Sequence, residues 1–305
     1  MAARLRVARD RKGTTMKKLV LSVVAACALI APAYAADAPA PAKKAAPVAA
    51  APATPVFDIA FGGLVQSDYN FRGISQSNRS PGVGGYAEAR FNVITDWQLY
   101  VGIGGLSVSF PRPFGSDPAA EIDIYGGIRP TFGPLALDIG LLYYYYPSEF
   151  GFQTDFLEFY GKAVYTFNPM VAVGANLFYS SNWLNTGASG TFASGTLKLT
   201  APSGVLPNDI GAYTSGEFGR YWLGTTKASL GSVPLIDYNY WNIGFGLTWK
   251  AFTLDFRYHD TDLSQVQCFS LTAIPTFTNF PPRSNWCDEA FIVKLSFDTT
   301  AAALK

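Results

Sequence analysis

The stretch FDIAFGGLVQSDYNF, residues 57–71, alternates with a period of two, and its two faces decide how the rest of the chain is read. Phe57, Ile59, Phe61, Val65, Tyr69 and Phe71 take the odd positions, while Asp58, Gln66, Asp68 and Asn70 take even ones. Successive side chains of a strand point to opposite faces, so this segment has one apolar side and one wet side. EIDIYGGIR (121–129) repeats the rhythm, with Ile122, Ile124 and Ile128 opposed to Glu121, Asp123, Tyr125 and Arg129. FTLDFRYH (252–259) does so again, setting Phe252, Leu254, Phe256 and Tyr258 against Thr253, Asp255, Arg257 and His259.

Composition narrows what the apolar faces meet. Of 305 residues only 15% are charged, another 15% are aromatic, and 29 are Gly. Soluble domains carry about 25% charged residues. Beyond residue 36 no apolar run approaches the ~20 residues of a spanning helix. Greasiness spread along alternating strands fits a closed barrel in a membrane, where every backbone N–H and C=O must be paired within the protein.

The front end sets the compartment. MKKLVLSVVAACALIAPAYA (16–35) has Lys17 and Lys18, an apolar run to Ile30, and Ala33-Tyr34-Ala35 before a cleavage point. That is the pattern of a cleaved secretory signal peptide. The preceding residues 1–15 are too polar to belong to it and read as an upstream extension from a mis-assigned start. The VAAC ending in Cys27 leaves a lipoprotein signal as the alternative. Residues 36–55 are rich in Ala and Pro, a composition that builds an extended periplasmic linker and no core. Removing 1–35 takes seven Lys/Arg and one Asp from totals of 23 and 22, leaving 16 basic and 21 acidic residues and a net charge of −5. No basic patch survives to bind nucleic acid. Cys268 and Cys287 remain, an even count in an exported chain, which points to a disulfide stiffening the last loop.

Strands are predicted at 57–71, 84–94, 97–109, 120–129, 135–146, 155–167, 170–181, 194–201, 207–219, 238–250, 252–260 and 289–297. About twelve is an even number within the range of bacterial outer-membrane barrels. The barrel is expected over 56–298, followed by a C-terminal extension, 299–305. Short turns (Thr95-Asp96, 130–134, 168–170, 202–206, Lys250-Ala251) alternate with longer loops. Short periplasmic turns and long outside loops produce this segregation in an all-β, up-and-down transmembrane barrel. Tyr69, Phe71, Trp97, Tyr143 to Tyr146, Tyr165, Phe167, Tyr179 and Trp249 are the expected interfacial girdles.

Continuing the frame inward gives a mixed-sign set of pore-lining candidates. Asp68, Asn70, Glu88, Glu121, Asp123, Asp138, Glu158 and Asp255 stand against Arg72, Arg90, Arg129, Lys162, Lys198, Arg257 and Lys294. Asp68 and Arg72, about 13 Å apart on one strand, are expected to find partners on adjacent strands, with Glu88, Arg90 and Lys294 as candidates. Fixed charges in a lumen set ion selectivity, and near balance argues against a strong one.

SDYNFRGISQS (67–77), followed by EIDIYGGI (121–128), YYYYP (143–147) and YHDTDLS (258–264), resembles the TorF-type porin family of Gram-negative bacteria. The resemblance spans about residues 58–297 and is poorest over 201–234. It implies an outer-membrane channel with no assigned substrate. A passive channel for small hydrophilic solutes or ions is therefore expected, with outer-membrane lipid and the barrel-assembly machinery as partners. The alternative is a closed or plugged barrel acting through its outside loops as adhesin or receptor. No cofactor, metal or catalytic role is expected: His259 has no nucleophile motif with it, and Asp260 with Asp262 falls short of a calcium ion's 6–8 oxygen ligands.

Overall fold

The computed structural model describes residues 55–110, 118–149, 151–273, 276–277 and 280–304. The upstream segment, the signal peptide and the linker (apart from Pro55) lie outside them. Twelve antiparallel strands form the barrel. They are β1 (Phe57–Gln66), β4 (Gly82–Ile94), β5 (Trp97–Ser107), β6 (Ala120–Phe132), β7 (Leu135–Tyr145) and β8 (Phe156–Asn168). The others are β9 (Val171–Ser180), β10 (Gly190–Thr200), β11 (Gly211–Leu223), β12 (Tyr238–Trp249), β13 (Phe252–Thr261) and β14 (Ala290–Thr300). A separate hairpin joins β2 (Asn70–Phe71) to β3 (Ile74–Ser75). Each barrel strand pairs with its sequence neighbours, and β1 closes the circle on β14, from Ala60 opposite Thr300 to Gln66 opposite Lys294. No edge is left for lipid to meet.

Outside and inside are inverted relative to a soluble protein. Val101, Ile103, Ile124, Ile139, Phe159, Phe218, Ile243, Phe245 and Phe291 are exposed on the outer wall, whereas Glu88, Glu121, Asp123, Glu158, Glu217 and Asp255 are buried within. Only hydrocarbon suits such a wall, so the barrel is a transmembrane one. Rings mark its two borders. Trp97, Phe132, Tyr165, Phe167, Trp249 and Phe252 stand exposed beside the short turns; Tyr143, Tyr145, Tyr179 and Trp222 stand exposed near the long loops. Neighbouring rings brace each other, Tyr165 against Phe167 at 4.8 Å and Trp97 against Phe132 at 6.2 Å.

Several boundaries differ from those read off the sequence. The eighth and ninth barrel strands run 190–200 and 211–223 instead of 194–201 and 207–219, and the turn placed at 202–206 is a connection over 201–210. The last strand continues to Thr300, taking two residues assigned to the extension into the ladder. The final loop contains a helix, α1 (Gln265–Thr272), started by a capping box between Ser264 and Gln267.

The largest difference concerns the deciding stretch itself. β1 stops at Gln66, five residues before the alternation does. Ser67 ends the ladder: its N–H donates to Val293 O at 2.9 Å, and its hydroxyl accepts the Val293 N–H at 3.0 Å. A side chain there takes the place of the next backbone carbonyl, and residues 67–81 turn into the barrel. Tyr69 and Phe71 therefore belong to no girdle; Tyr69 is buried and Phe71 meets Tyr144 edge-on at 5.8 Å. Tyr144 and Tyr146 likewise face inward. The inner hairpin turns at Arg72 (φ 49°) and Gly73 (φ 91°), where a Cβ on Gly73 would stand 2.2 Å from Thr261 Cγ2. Only glycine fits that second position.

Candidate functional site: a lumen in two halves

The half of the lumen next to the long loops is packed. Arg72, carried in by residues 67–81, forms a two-pronged ion pair with Glu158 of β8, both N···O distances 2.7 Å. Their side chains are 4% and 0% exposed. β8 lies five strands around the barrel from β1, so the predicted pairing of Arg72 with an adjacent strand is corrected: the segment reaches across the lumen. Phe71, Phe178, Phe192 and Tyr221 surround the guanidinium, with centroids 4.5, 4.5, 4.7 and 5.0 Å from Cζ. Tyr144 and Tyr221 donate their hydroxyls to the same carboxylate at 3.0 and 3.4 Å.

Asp68, also expected to pair with a neighbouring strand, instead accepts from Ser75 and Ser77 of its own segment at 2.6 and 2.8 Å. Burial raises its carboxyl above the usual range, and the two hydroxyls work against that rise. Asn70 accepts the Gly73 N–H at 2.9 Å and so shapes the turn that presents Arg72. Glu121 of β6 takes the hydroxyls of Tyr69 and Tyr146, each at 2.5 Å. Asp123, on the same face, keeps Oδ1 without a hydrogen-bond partner, as do Asn70 Nδ2, Asp68 Oδ2 and Glu217 Oε1.

The last loop straps the segment in place. Arg79 donates to the carbonyls of Asn285, Asp288 and Glu289, Ser75 N–H to Trp286 O at 2.9 Å, and Trp286 Nε1 to Asn78 at 3.1 Å. Next to Trp286, Cys287 is bonded to Cys268 of α1, both fully buried.

Towards the short turns the lumen is charged and partly wet. Arg129 reaches Glu88 with both terminal nitrogens at 2.7 and 3.0 Å and Asp138 with Nε at 3.3 Å. Arg90 Nε shares Glu88 Oε1 with Arg129, at 2.6 Å. The Arg90, Arg129 and Asp138 side chains are 13–17% exposed, where Arg72 and Glu158 are almost dry. Tyr100 bridges Asp138 and Tyr160 by its hydroxyl. Lys162 lies opposite Asp138 in the ladder with its ammonium 4.7 Å from the Tyr160 ring. Lys198 sits half-buried over Tyr213 at 4.5 Å. A second network joins the halves. Arg257 binds Asp255 at 2.8 and 3.0 Å, Ser215 at 2.9 Å and Asn242 at 2.7 Å, while Lys294 lies opposite Asp255. Asn242 continues to Tyr240 at 2.8 Å, and Tyr240 to His259 Nδ1 at 2.9 Å.

Of the interior candidates named from sequence, Asp68, Asn70 and Arg72 lie in the lodged segment, and Glu88, Glu121, Asp123, Glu158, Asp255 and Arg257 are buried on barrel strands. Sequence reading missed Glu217, Asn242 and the ring cage of Phe178, Phe192 and Tyr221. Glu217 lay inside the predicted strand 207–219 with no face assigned to it and Tyr221 lay beyond that strand's end; following one alternation along Gly211–Leu223 would have found both.

A closed transmembrane barrel, polar within, apolar without and stoppered by its own chain, is of the porin-like class. Residues 49–280 match the family described as bacterial proteins of unknown function (Gcw_chp), and the chain belongs to that family. No curated protein matches it. Among solved structures, an outer-membrane channel from Pseudomonas putida F1 is 10% identical, covering 81% of this chain and 97% of that one, with a TM-score of 0.47. The NanC porin is 9% identical over 79% of this chain and 98% of its own, with a TM-score of 0.42. The ladder of pairings, not these likenesses, shows the fold.

Proposed function

We propose that the protein is a gated porin-like channel of a Gram-negative outer membrane, passing small hydrophilic solutes or ions once residues 67–81 swing aside. One observation carries this reading: residues 67–81 lie outside the barrel ladder, anchored on the wall by Arg72 on Glu158 and held by only a few backbone bonds, Ser67 to Val293, Ser75 to Trp286 and Gln76 to Ser109. A segment held in this way can leave without breaking the barrel. The slightly exposed charges beyond it, Arg90, Arg129 and Asp138, would then meet the solute. The signal-peptide pattern, the apolar outer wall and the TorF resemblance support the outer membrane as its place. Membrane lipid and the assembly machinery are its expected partners. His259 is assigned to the Asn242–Tyr240 network and given no catalytic part.

A second reading is favoured by the packed outer half together with Phe277 and Phe280, exposed on the last loop. There the barrel stays shut and acts through its outside loops. Planar-bilayer recording of refolded residues 36–305 separates the two. Steady single-channel steps, larger and longer-lived in Arg72→Gly, support the channel. Silent membranes with both proteins support the shut barrel.

A further inference from the structure

The anchor of the stopper has the form of an occupied binding site. Three of the four rings around the guanidinium, Phe178, Phe192 and Tyr221, belong to the barrel wall and stay behind if residues 67–81 leave; Phe71 goes with the segment. Glu158 and its Tyr144 and Tyr221 donors also stay. What remains is a carboxylate held by two hydroxyls at the bottom of an aromatic cup.

That cup cannot stand empty cheaply. Glu158 is 0% exposed, and a buried charge stripped of its partner is strongly destabilising. A replacement cation on Glu158 therefore lowers the cost of opening. The geometry selects which kind. A planar fork matches a carboxylate with two parallel bonds and stacks on ring faces, which a compact hydrated sodium ion does not. Cation–π attraction adds to this where the rings are dry. A second carboxylate, Glu217, is fully buried on β11 four residues from Tyr221.

We propose that the Glu158 cup is a binding site for the guanidinium group of a small organic cation, and that Arg72 is its built-in competitor. The inference rests on the channel reading and names its solute class: such a cation displaces Arg72, takes its place on Glu158 and lets residues 67–81 swing out.

Arg72→Gly empties the cup while keeping the turn, because φ 49° suits glycine. The probe is methylguanidinium chloride, with neutral methylurea and sodium chloride as controls. In the folded variant, methylguanidinium at ten times its dissociation constant should raise the melting temperature by roughly 4 °C. Both controls should leave it unmoved, and Arg72→Gly combined with Glu158→Gln should not respond. Should Arg72→Gly fail to refold, refolding becomes the readout, and methylguanidinium but not methylurea should restore the folded species on a heat-modifiability gel. No response in the folded variant, equal response to a control, or no rescue of refolding overturns the proposal. Binding without current would leave the cup standing and sink only the channel.

Discussion

The two halves of one lumen use the same side chains for different ends. Near the long loops, Arg72 and Glu158 are nearly dry, ringed by Phe178, Phe192 and Tyr221, and one of the pair is carried by a segment outside the ladder. Near the short turns, Arg129, Arg90, Glu88 and Asp138 all sit on barrel strands, and all but the buried Glu88 keep some contact with water. Charge in water is cheap to rearrange, and charge in a dry cage is not. On the channel function proposed above, the dry half is the latch and the wet half the wall that meets the solute.

That contrast can be broken or sharpened by substitution. The largest effect is expected from Glu158→Ala, which strands the Arg72 guanidinium in the cage and should cost about 3–5 kcal/mol in urea unfolding, with more frequent openings in bilayers. A loss under 1 kcal/mol would mean that the dry half is already wet. Replacing Cys268 and Cys287 together with Ser frees the strap over the segment. The chain-entropy value for a loop of this size is about 3 kcal/mol, and limited proteolysis should cut the last loop first. Unchanged cleavage would detach the strap from the stopper. Tyr146→Phe removes one of the two donors to Glu121 and should cost about 1–3 kcal/mol, with more rapid hydrogen exchange at Tyr69 as its marker. In the wet half, Lys198→Ala loses only a half-exposed contact with Tyr213, about 0.5–1 kcal/mol. It should shift the reversal potential in a salt gradient without changing how often the barrel opens; an altered opening frequency would place Lys198 in the latch.

The sequence made the wall legible and the latch illegible, for one physical reason. Strand alternation is a local property set by which solvent each face meets, so EIDIYGGIR and FTLDFRYH reveal their inward residues directly. Up to Gln66 the first stretch obeys it too. From Ser67 on, the same alternation persists in letters but not in space, because Phe71 meets Tyr144 and Tyr69 packs with Leu106 and Val108 and donates to Glu121 where the pattern promised lipid. Apolar lumen packing and apolar lipid contact look identical in one dimension. The two local signs of a departure were Gly73, which permits a left-handed turn, and the unusual density of Ser, Asn and Asp around it, whose side chains satisfy backbone groups outside a ladder. The pairing of Arg72 with Glu158, 86 residues apart, has no local sign at all. The disulfide was legible because only two cysteines follow the signal segment.

The division of the lumen is tested most directly by thiol accessibility. Two proteins with one added cysteine each are needed, Lys198→Cys in the wet half and Asp123→Cys in the dry half; Cys268 and Cys287 are bonded to each other and do not label. Reconstituted in lipid and exposed to a charged maleimide, Lys198→Cys should label quickly and Asp123→Cys only after Arg72→Gly is added. Equal labelling of both positions with Arg72 in place would show an unobstructed lumen and contradict the latch.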